Sequence, residues 1–145
     1  MQPEAAAKLR AARSSIAARA LEIAVAADPT MRERHDEAAL RNLLRDAEIL
    51  TDRLALCVAG DDPFWLREFA DQTAPVFRRR KMPMSDVISV CEGIRTGARG
   101  VVDESVMPSV DRGIDAAIEI FRWYRTLAGD VRWRNPIVAA LYKGI

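Results

Sequence analysis

The chain has 145 residues, half of them apolar and 30% charged, a balance typical of a folded globular domain and not of a disordered segment. Its 22 Lys and Arg residues nearly cancel its 21 Asp and Glu residues, and a net charge of +1 argues against a domain that binds nucleic acid over its whole surface. No apolar run of about 18 residues is present, and no signal peptide is expected because charges interrupt the N-terminal segment at Lys8, Arg10, Arg13 and Arg19. We therefore expect a soluble, cytoplasmic protein.

The first predicted helix spans residues 3–27. Pro3 suits a first helical turn, and Asp28-Pro29 ends the helix because the residue before a proline is driven out of helical backbone. Most of its apolar positions are alanine, so residues 1–13 have little apolar surface to bury. We expect this segment to fray, to project from the bundle or to lie in a dimer interface.

The second predicted helix spans residues 30–59, with Thr30 and Glu33 at the spacing of a capping box and Gly60 as the stop. Its second half repeats apolar residues in alternating steps of three and four, the pattern of a seam that packs against another helix: Leu40, Leu43, Ala47, Leu50, Leu54 and Cys57. We predict that the leucines at 43, 50 and 54 are buried.

The third predicted helix begins at Asp61 or Asp62 and runs into a basic stretch, three arginines and a lysine at residues 78–81. Cations in a last helical turn offset the helix dipole, which is the structural reading of this stretch. The functional reading makes Arg78 and Arg79 part of a site for a phosphate group or a protein partner.

The fourth predicted helix spans residues 85–103 and contains three glycines, Gly93, Gly97 and Gly100. Each glycine inside a helix costs about 1 kcal/mol relative to alanine. Their helical spacing predicts the close approach of another backbone, or a helix that deforms easily.

The fifth predicted helix spans residues 105–128, with Pro108 in its first turn, and a short helix from Asn135 to Tyr142 follows. Short connections predict that consecutive helices pack antiparallel. The sequence thus predicts an all-α fold: an antiparallel bundle of about five helices plus a short C-terminal helix, forming one domain over residues 1–145.

Polar and aromatic side chains on the third to fifth helices are the candidates for a ligand or partner site. Glu92 and Arg95 belong to a polar line that is either a solvated face or the charged lining of a cleft against the third helix. Trp65 and Trp123 fall beside the main apolar stripes, so each packs at the edge of the core or lines a pocket or dimer interface. The full set of candidates is Trp65, Phe69, Arg78, Arg79, Glu92, Arg95, Trp123 and Tyr124.

Catalytic and metal-binding patterns do not emerge from the sequence. His35, the single histidine, lies in a charged stretch and is predicted to be a solvated surface residue, while Glu48 and Asp52 have arginines beside them that suit ordinary ion pairing. There is no Gly-x-Ser-x-Gly motif and no phosphate-binding glycine loop. We expect no catalytic residue, no metal and no cofactor, and therefore not an enzyme. Cys57 and Cys91 are expected to be buried free thiols.

The stretch from Leu40 to Val102 resembles the helical N-terminal input domain of bacterial RsbT co-antagonist-type regulators. The matching features are the helix end Leu54-Ala55-Leu56-Cys57-Val58-Ala59-Gly60-Asp61, a next helix that ends in the basic run, and Met82-Pro83-Met84-Ser85-Asp86-Val87-Ile88 opening the following helix, with Ile94-Arg95 further along it. That family usually continues into an effector domain, whereas this chain stops at Ile145. The resemblance implies a non-enzymatic regulatory input domain and transfers no binding residue.

Two functions remain open at this point. The first is a bacterial sensory or regulatory input or protein-docking domain of unknown signal, with a protein partner in a signalling pathway and no membrane or nucleic acid. The second is a small-molecule-binding protein with a pocket between the third, fourth and fifth helices. We also expect a homodimer, because the third and fourth helices are too short to cover the first two, and the uncovered positions Leu9, Ile16 and Ile23 would form its interface.

Overall fold

The computed structural model describes residues 2–127, and every regular element in that range is helical. The all-α class predicted from the helical periodicity is confirmed. Seven α-helices and one 3-10 turn follow one another in this range: α1 (Pro3–Ala11), α2 (Arg13–Ala27), α3 (Met31–Arg34), α4 (Glu37–Gly60), α5 (Phe64–Arg79), α6 (Met84–Arg99), the 3-10 turn (Glu104–Val106) and α7 (Met107–Leu127). The short helix predicted to follow Asn135 lies outside the described residues.

The first predicted helix is in fact two helices that meet at Ala12. Ala12 departs from helical backbone (φ −95°, ψ 8°), so α2 starts afresh at the next residue. The pair runs antiparallel to α4, because Gln2 donates a backbone hydrogen bond to Ala59 at 3.4 Å and Arg13 pairs with Asp52 at 2.8 Å. The N-terminal segment therefore packs on the bundle, and the expectation that it frays or projects is wrong.

The second predicted helix is likewise divided, into the single turn α3 and the long α4. Thr30 was predicted to cap it, but its side chain makes no capping hydrogen bond and its hydroxyl donates to Asp28 instead. The cap of α4 is Asp36, whose carboxylate accepts a hydrogen bond from the Ala39 amide at 2.8 Å. Asp36 satisfies a donor that the first turn of a helix leaves free, and so it fixes where α4 starts.

The apolar seam of α4 is buried as predicted. Leu43, Leu50 and Leu54 are at most 1% exposed. α4 packs against α1, α2, α5, α6 and α7, so it forms the centre of the core and the other long helices surround it.

The helices α5 and α7 run parallel to each other. A Cβ added to Gly113 would lie 3.2 Å from a methyl carbon of Leu66, near the start of both helices, and the rings of Phe77 and Phe121 meet edge to face at 5.9 Å near their ends. α5 packs on α4 and α7 and makes little contact with α6, so α5 and α6 do not form the predicted antiparallel pair. The C-termini of α5 and α7 therefore lie at the same end of the molecule.

The tightest helix contact is the crossing of α2 and α6. A Cβ added to Gly93 would lie 2.7 Å from both the Cα and the carbonyl oxygen of Ala20, closer than real Cβ atoms come. One turn further along, a Cβ on Gly97 would lie 3.2 Å from the side chain of Ile16. The predicted close approach of a second backbone is confirmed at Gly93, and that backbone belongs to α2.

This crossing removes the basis of the predicted dimer interface. Leu9 is fully buried and Ile16 is 2% exposed, both within a single chain, while Ile23 is half-buried. The interface was expected because the shorter helices were judged unable to cover the first two. The first predicted helix is divided into α1 and α2, and α4 and α6 together cover both of these shorter helices. Leu9 and Ile16 are therefore core residues.

Two helices end on non-glycine residues in left-handed backbone. Asp61 (φ 52°) follows α4 and Lys81 (φ 60°) follows α5. After each of them, the next amide donates to a carbonyl five residues back, at 3.0 Å and 2.9 Å respectively. This is the Schellman arrangement, whose left-handed position is usually glycine. Gly60, predicted as the stop of α4, is instead its last helical residue.

Replacing Gly93 with alanine should destabilise the protein, because the added Cβ would overlap the α2 backbone. We expect the free energy of unfolding to fall by about 1–3 kcal/mol, the usual cost of overpacking. Gly60→Ala is the matched control: nothing lies within 4 Å of a Cβ there, so stability should stay level or rise by up to about 1 kcal/mol. Urea denaturation measures both, and equal stabilities of the two variants would contradict the close approach.

Candidate functional site

A buried polar cluster joins α3 to the start of α6. His35 Nε2 lies 2.7 Å from Asp86 Oδ2, and the two side chains are only 7% and 4% exposed. Arg34 donates from Nη2 to the other carboxylate oxygen, Asp86 Oδ1, at 2.7 Å. Asp86 therefore holds two consecutive residues at the end of α3, and its buried charge is matched by hydrogen-bonded partners as a buried carboxylate requires.

Arg34 extends this cluster towards the surface. Its guanidinium also donates to Asp28 Oδ2 at 2.8 Å and to the Thr30 hydroxyl at 2.5 Å. The hydrogen bonds to Asp86 and then to Asp28 raise the pKa of Arg34 above its ordinary value. The hydrogen bond from Thr30, followed by that from Arg34, lowers the pKa of Asp28. One connected set of hydrogen bonds thus ties the residue after α2 and the two ends of α3 to α6.

The position of His35 corrects the prediction of a solvated surface histidine. Among residues 2–127 the only side chain hydrogen-bonded to its ring is Asp86, and none of the Ser, Thr or Cys side chains in that range bonds to it. The cluster is a structural tie between helices. A sequence signal for it existed: Asp86 stands four residues before Val90 and eight before Ile94, on the buried stripe of α6, where a carboxylate needs a partner.

Arg95 joins α6 to α7. Its guanidinium donates to Asp111 at 2.8 Å and to Asp115 at 2.5 Å on α7, and to Glu92 at 3.0 Å on its own helix. Burial lowers the pKa of Arg95, but the hydrogen bonds to the three carboxylates outweigh burial and hold the pKa above its ordinary value. Glu92 and Arg95 are therefore neither a merely solvated face nor the lining of a cleft against α5. They are part of a bridge between α6 and α7.

The candidate aromatic residues do not converge on one pocket. Phe69 is in the core, 9% exposed, and Tyr124 packs against the edge of the core. Trp65 and Trp123 are 44% and 56% exposed, so the reading in which both pack at the edge of the core is wrong. Trp65 lies at the start of α5 and Trp123 near the end of α7, and the parallel packing of these helices places the two indoles at opposite ends.

The C-termini of α5 and α7 together form a positively charged surface, which we call the basic end: Arg78, Arg79, Lys81, Arg122 and Arg125. The contact between Phe77 and Phe121 places the last turns of the two helices side by side. Within residues 2–127 none of the five cations has an ion-pair or hydrogen-bond partner for its side chain. Arg80, between them in sequence, differs because it pairs with Asp46 at 3.0 Å.

The basic end was only half visible in the sequence. The run that contains Arg78 and Arg79 is contiguous and was identified as a candidate. Arg122 and Arg125 were missed because they join this surface only through the packing of α5 against α7, and short connections predict contacts between consecutive helices but not between these two.

Three clefts open on the surface away from α5 and α7. One of about 350 Å³ lies between the start of α1 and the 3-10 turn, one of about 260 Å³ between α2 and α4, and one of about 330 Å³ between α2 and the end of α6. None of the three is lined by a residue of α5 or α7, so none is the pocket predicted between the third, fourth and fifth helices.

Metal ligands and cysteine thiols are the other groups in this chain that could support chemistry. In the part of the chain that the structure describes, no group of three or more His, Cys, Asp or Glu side chains could hold a metal ion. Asp52 forms an ion pair, as predicted, but its partner is Arg13 of α2 and not one of the arginines beside it in sequence. Both cysteines are buried and free as predicted, and burial raises the pKa of the Cys57 thiol and raises that of Cys91 to about 12. Neither thiol is therefore a reactive thiolate at neutral pH.

No helix among the described residues is both long enough and apolar enough to cross a membrane. Comparison with known proteins gave no relative, since no family model, no curated protein and no solved structure matches the chain. The resemblance to RsbT co-antagonist-type regulators stays a prediction.

Replacing Asp86 with alanine should destabilise the fold, because it leaves His35 without its partner and removes the buried counter-charge of Arg34. We expect a loss of about 1–3 kcal/mol in the free energy of unfolding. Asp28→Ala removes only an exposed contact to the same arginine, so its effect should be smaller. Urea denaturation compares the two variants, and a larger loss for Asp28→Ala would show that the buried contacts do not hold α3 in place.

Proposed function

We propose that this chain is a regulatory docking domain that binds an acidic segment of a protein partner at the basic end. The observation that supports the proposal is the convergence of five cations at the paired C-termini of α5 and α7, without partners among residues 2–127. Each of these cations keeps its donors available for anionic groups, and their summed field attracts an acidic partner.

Compensation of the helix dipoles explains only a small part of this charge. Each helix C-terminus carries the equivalent of about half a negative charge, so two adjacent ends offer roughly one. Five cations exceed that several-fold. The positive charge that the helix dipoles do not offset is explained by a binding role.

The backbone at Lys81 gives separate support. Lys81 occupies left-handed backbone (φ 60°), where glycine would avoid a conformational cost of about 1 kcal/mol. Asp61, the other residue in this conformation, has a structural reason for its side chain, because it pairs with Arg112. Lys81 has no such partner among the described residues. Strained non-glycine residues concentrate at functional sites, which favours a binding role for this lysine.

Exposed apolar side chains beside the basic end favour a protein partner over nucleic acid. Val76 and Trp123 are 36% and 56% exposed and lie in the last turns of α5 and α7. Aromatic side chains are enriched where proteins meet. A long polyanion would also extend over the rest of a chain whose net charge is only +1. An acidic segment that carries an apolar residue matches both features.

The regulatory part of the proposal is supported by the resemblance to RsbT co-antagonist-type input domains, which implies a non-enzymatic input role. A bacterial, cytoplasmic setting belongs to the same proposal.

A defined acidic probe tests the proposal. A fluorescently labelled peptide of glutamates with one central leucine should bind the full chain and dissociate as salt rises. The variant Arg78→Glu/Arg79→Glu/Arg122→Glu should lose about tenfold or more in affinity, equivalent to about 1.4 kcal/mol. The control Arg10→Glu/Arg19→Glu/Arg99→Glu has the same net charge but reverses exposed arginines elsewhere. Equal losses in both variants, or tighter binding of a single-stranded oligonucleotide of the same charge, would contradict the proposal.

The variant Lys81→Gly should separate stability from binding. Because glycine relieves the left-handed backbone, the free energy of unfolding should rise by up to about 1 kcal/mol. Binding of the acidic peptide should weaken at the same time, because one cation is lost. Thermal denaturation and fluorescence anisotropy measure the two quantities. A variant that gains stability and keeps its full affinity would show that Lys81 plays no part in docking.

A further inference from the structure

The helix α2 is apolar on two sides, and residues 2–127 fully cover only one of them. The inner side is buried in the core: Ile16, Ala17, Ala20 and Ala24. The outer side carries Ala18, Leu21 and Val25, in steps of three and four that are typical of a helix-packing seam. A helix that is apolar around most of its circumference is normally buried around most of it.

The outer side of α2 forms one wall of a groove, and α4 forms the other. The groove has a volume of about 260 Å³, and its apolar floor is completed by Leu40 and Leu44. The leucines and the valine that line it are half-buried, so each keeps apolar surface that a bound helix could cover.

The charges around this groove are self-complementary. Its rim carries two acids and two bases: Glu22, Glu37, Arg32 and Arg41. Glu22 stands on the α2 wall and Arg41 on the α4 wall. A two-fold axis through the groove exchanges the walls, so Glu22 of one copy faces Arg41 of the other, and this contact occurs twice. A rim with no net charge does not select a strongly acidic or basic partner, whereas a second copy matches it at both places.

We infer that a second copy of this chain covers the groove, in a two-fold dimer in which α2 of each copy packs on α4 of the other. This surface is separate from the basic end, because the groove lies on α2 and α4 and the basic end on α5 and α7. It replaces the interface predicted from Leu9 and Ile16, which are buried. The N-terminal half of the chain still supplies the contact, but through the opposite side of α2.

Charge reversal across the axis tests the dimer. Sedimentation of the full chain over a concentration series should show twice the chain mass. Glu22→Arg and Arg41→Glu each set like charges opposite one another at two places, so each should weaken the dimer about tenfold or more. Mixing these two variants makes both contacts attractive again, and a heterodimer close to wild-type affinity should form. The contact between Arg41 and Glu37 within α4 is exposed, at 3.4 Å, so its loss has little effect on folding.

The matched control is Arg45→Glu, which reverses another exposed charge on α4 outside the groove and should leave the dimer intact. Circular dichroism checks that every variant is folded, and binding of the acidic peptide should be unchanged in Glu22→Arg. A monomer at all concentrations would overturn the inference. It is the result expected if another part of the chain fills the groove. A dimer that neither single reversal weakens, or a mixture that stays monomeric, would overturn it equally.

Discussion

The approach of α2 to α6 at Gly93 is the contact on which the rest of the packing depends. Three of the four buried residues of α2 are alanines, and alanine side chains alone bury little apolar surface. Without a Cβ at Gly93, the backbones of α2 and α6 meet directly, and dispersion contacts between main chains supply what the side chains do not. α2 also packs on α4, and α1, which directly precedes α2, packs on α4 as well. The N-terminal quarter of the chain is therefore part of the core.

A contact between small residues brings two helices close, but without large interlocking side chains it fixes the position of one helix along the other only weakly. The cluster around Asp86 fixes that position. Asp86 Oδ1 accepts from Arg34, and Asp86 Oδ2 bonds to His35 and, at 3.4 Å, to Arg34 Nε, so the turn between α2 and α4 has one position relative to the start of α6. Small-residue packing near the middle of α6 and a buried carboxylate at its start thus act together: the first brings the helices close, and the second fixes their relative position.

The all-α class, the α4 seam and the close approach at Gly93 follow from the sequence because each depends on periodicity or on one residue type within a single helix. The break at Ala12 does not, since an alanine-rich run has the same local preference on both sides of it. His35 was misjudged because its neighbours in sequence are charged, while the partner that buries it is 51 residues away. At the candidate site, Arg78 and Arg79 could be identified from a contiguous run. Arg122 could not, because the packing of non-consecutive helices decides where it lies.

The parallel packing of α5 and α7 also explains why net charge is a poor guide to this protein. The first half of α7 carries Asp111 and Asp115. Asp61, which lies between α4 and α5, pairs with Arg112 near the start of α7. The charged residues in the last turns of both helices are all cations. In an antiparallel pair, each end would combine one acidic and one basic terminus, and the fields would largely cancel. Because α5 and α7 are parallel, the fields of their basic C-terminal turns add. A chain of net charge +1 therefore has a strongly basic end. The polarity of the surface is therefore a property of the topology and not of the composition.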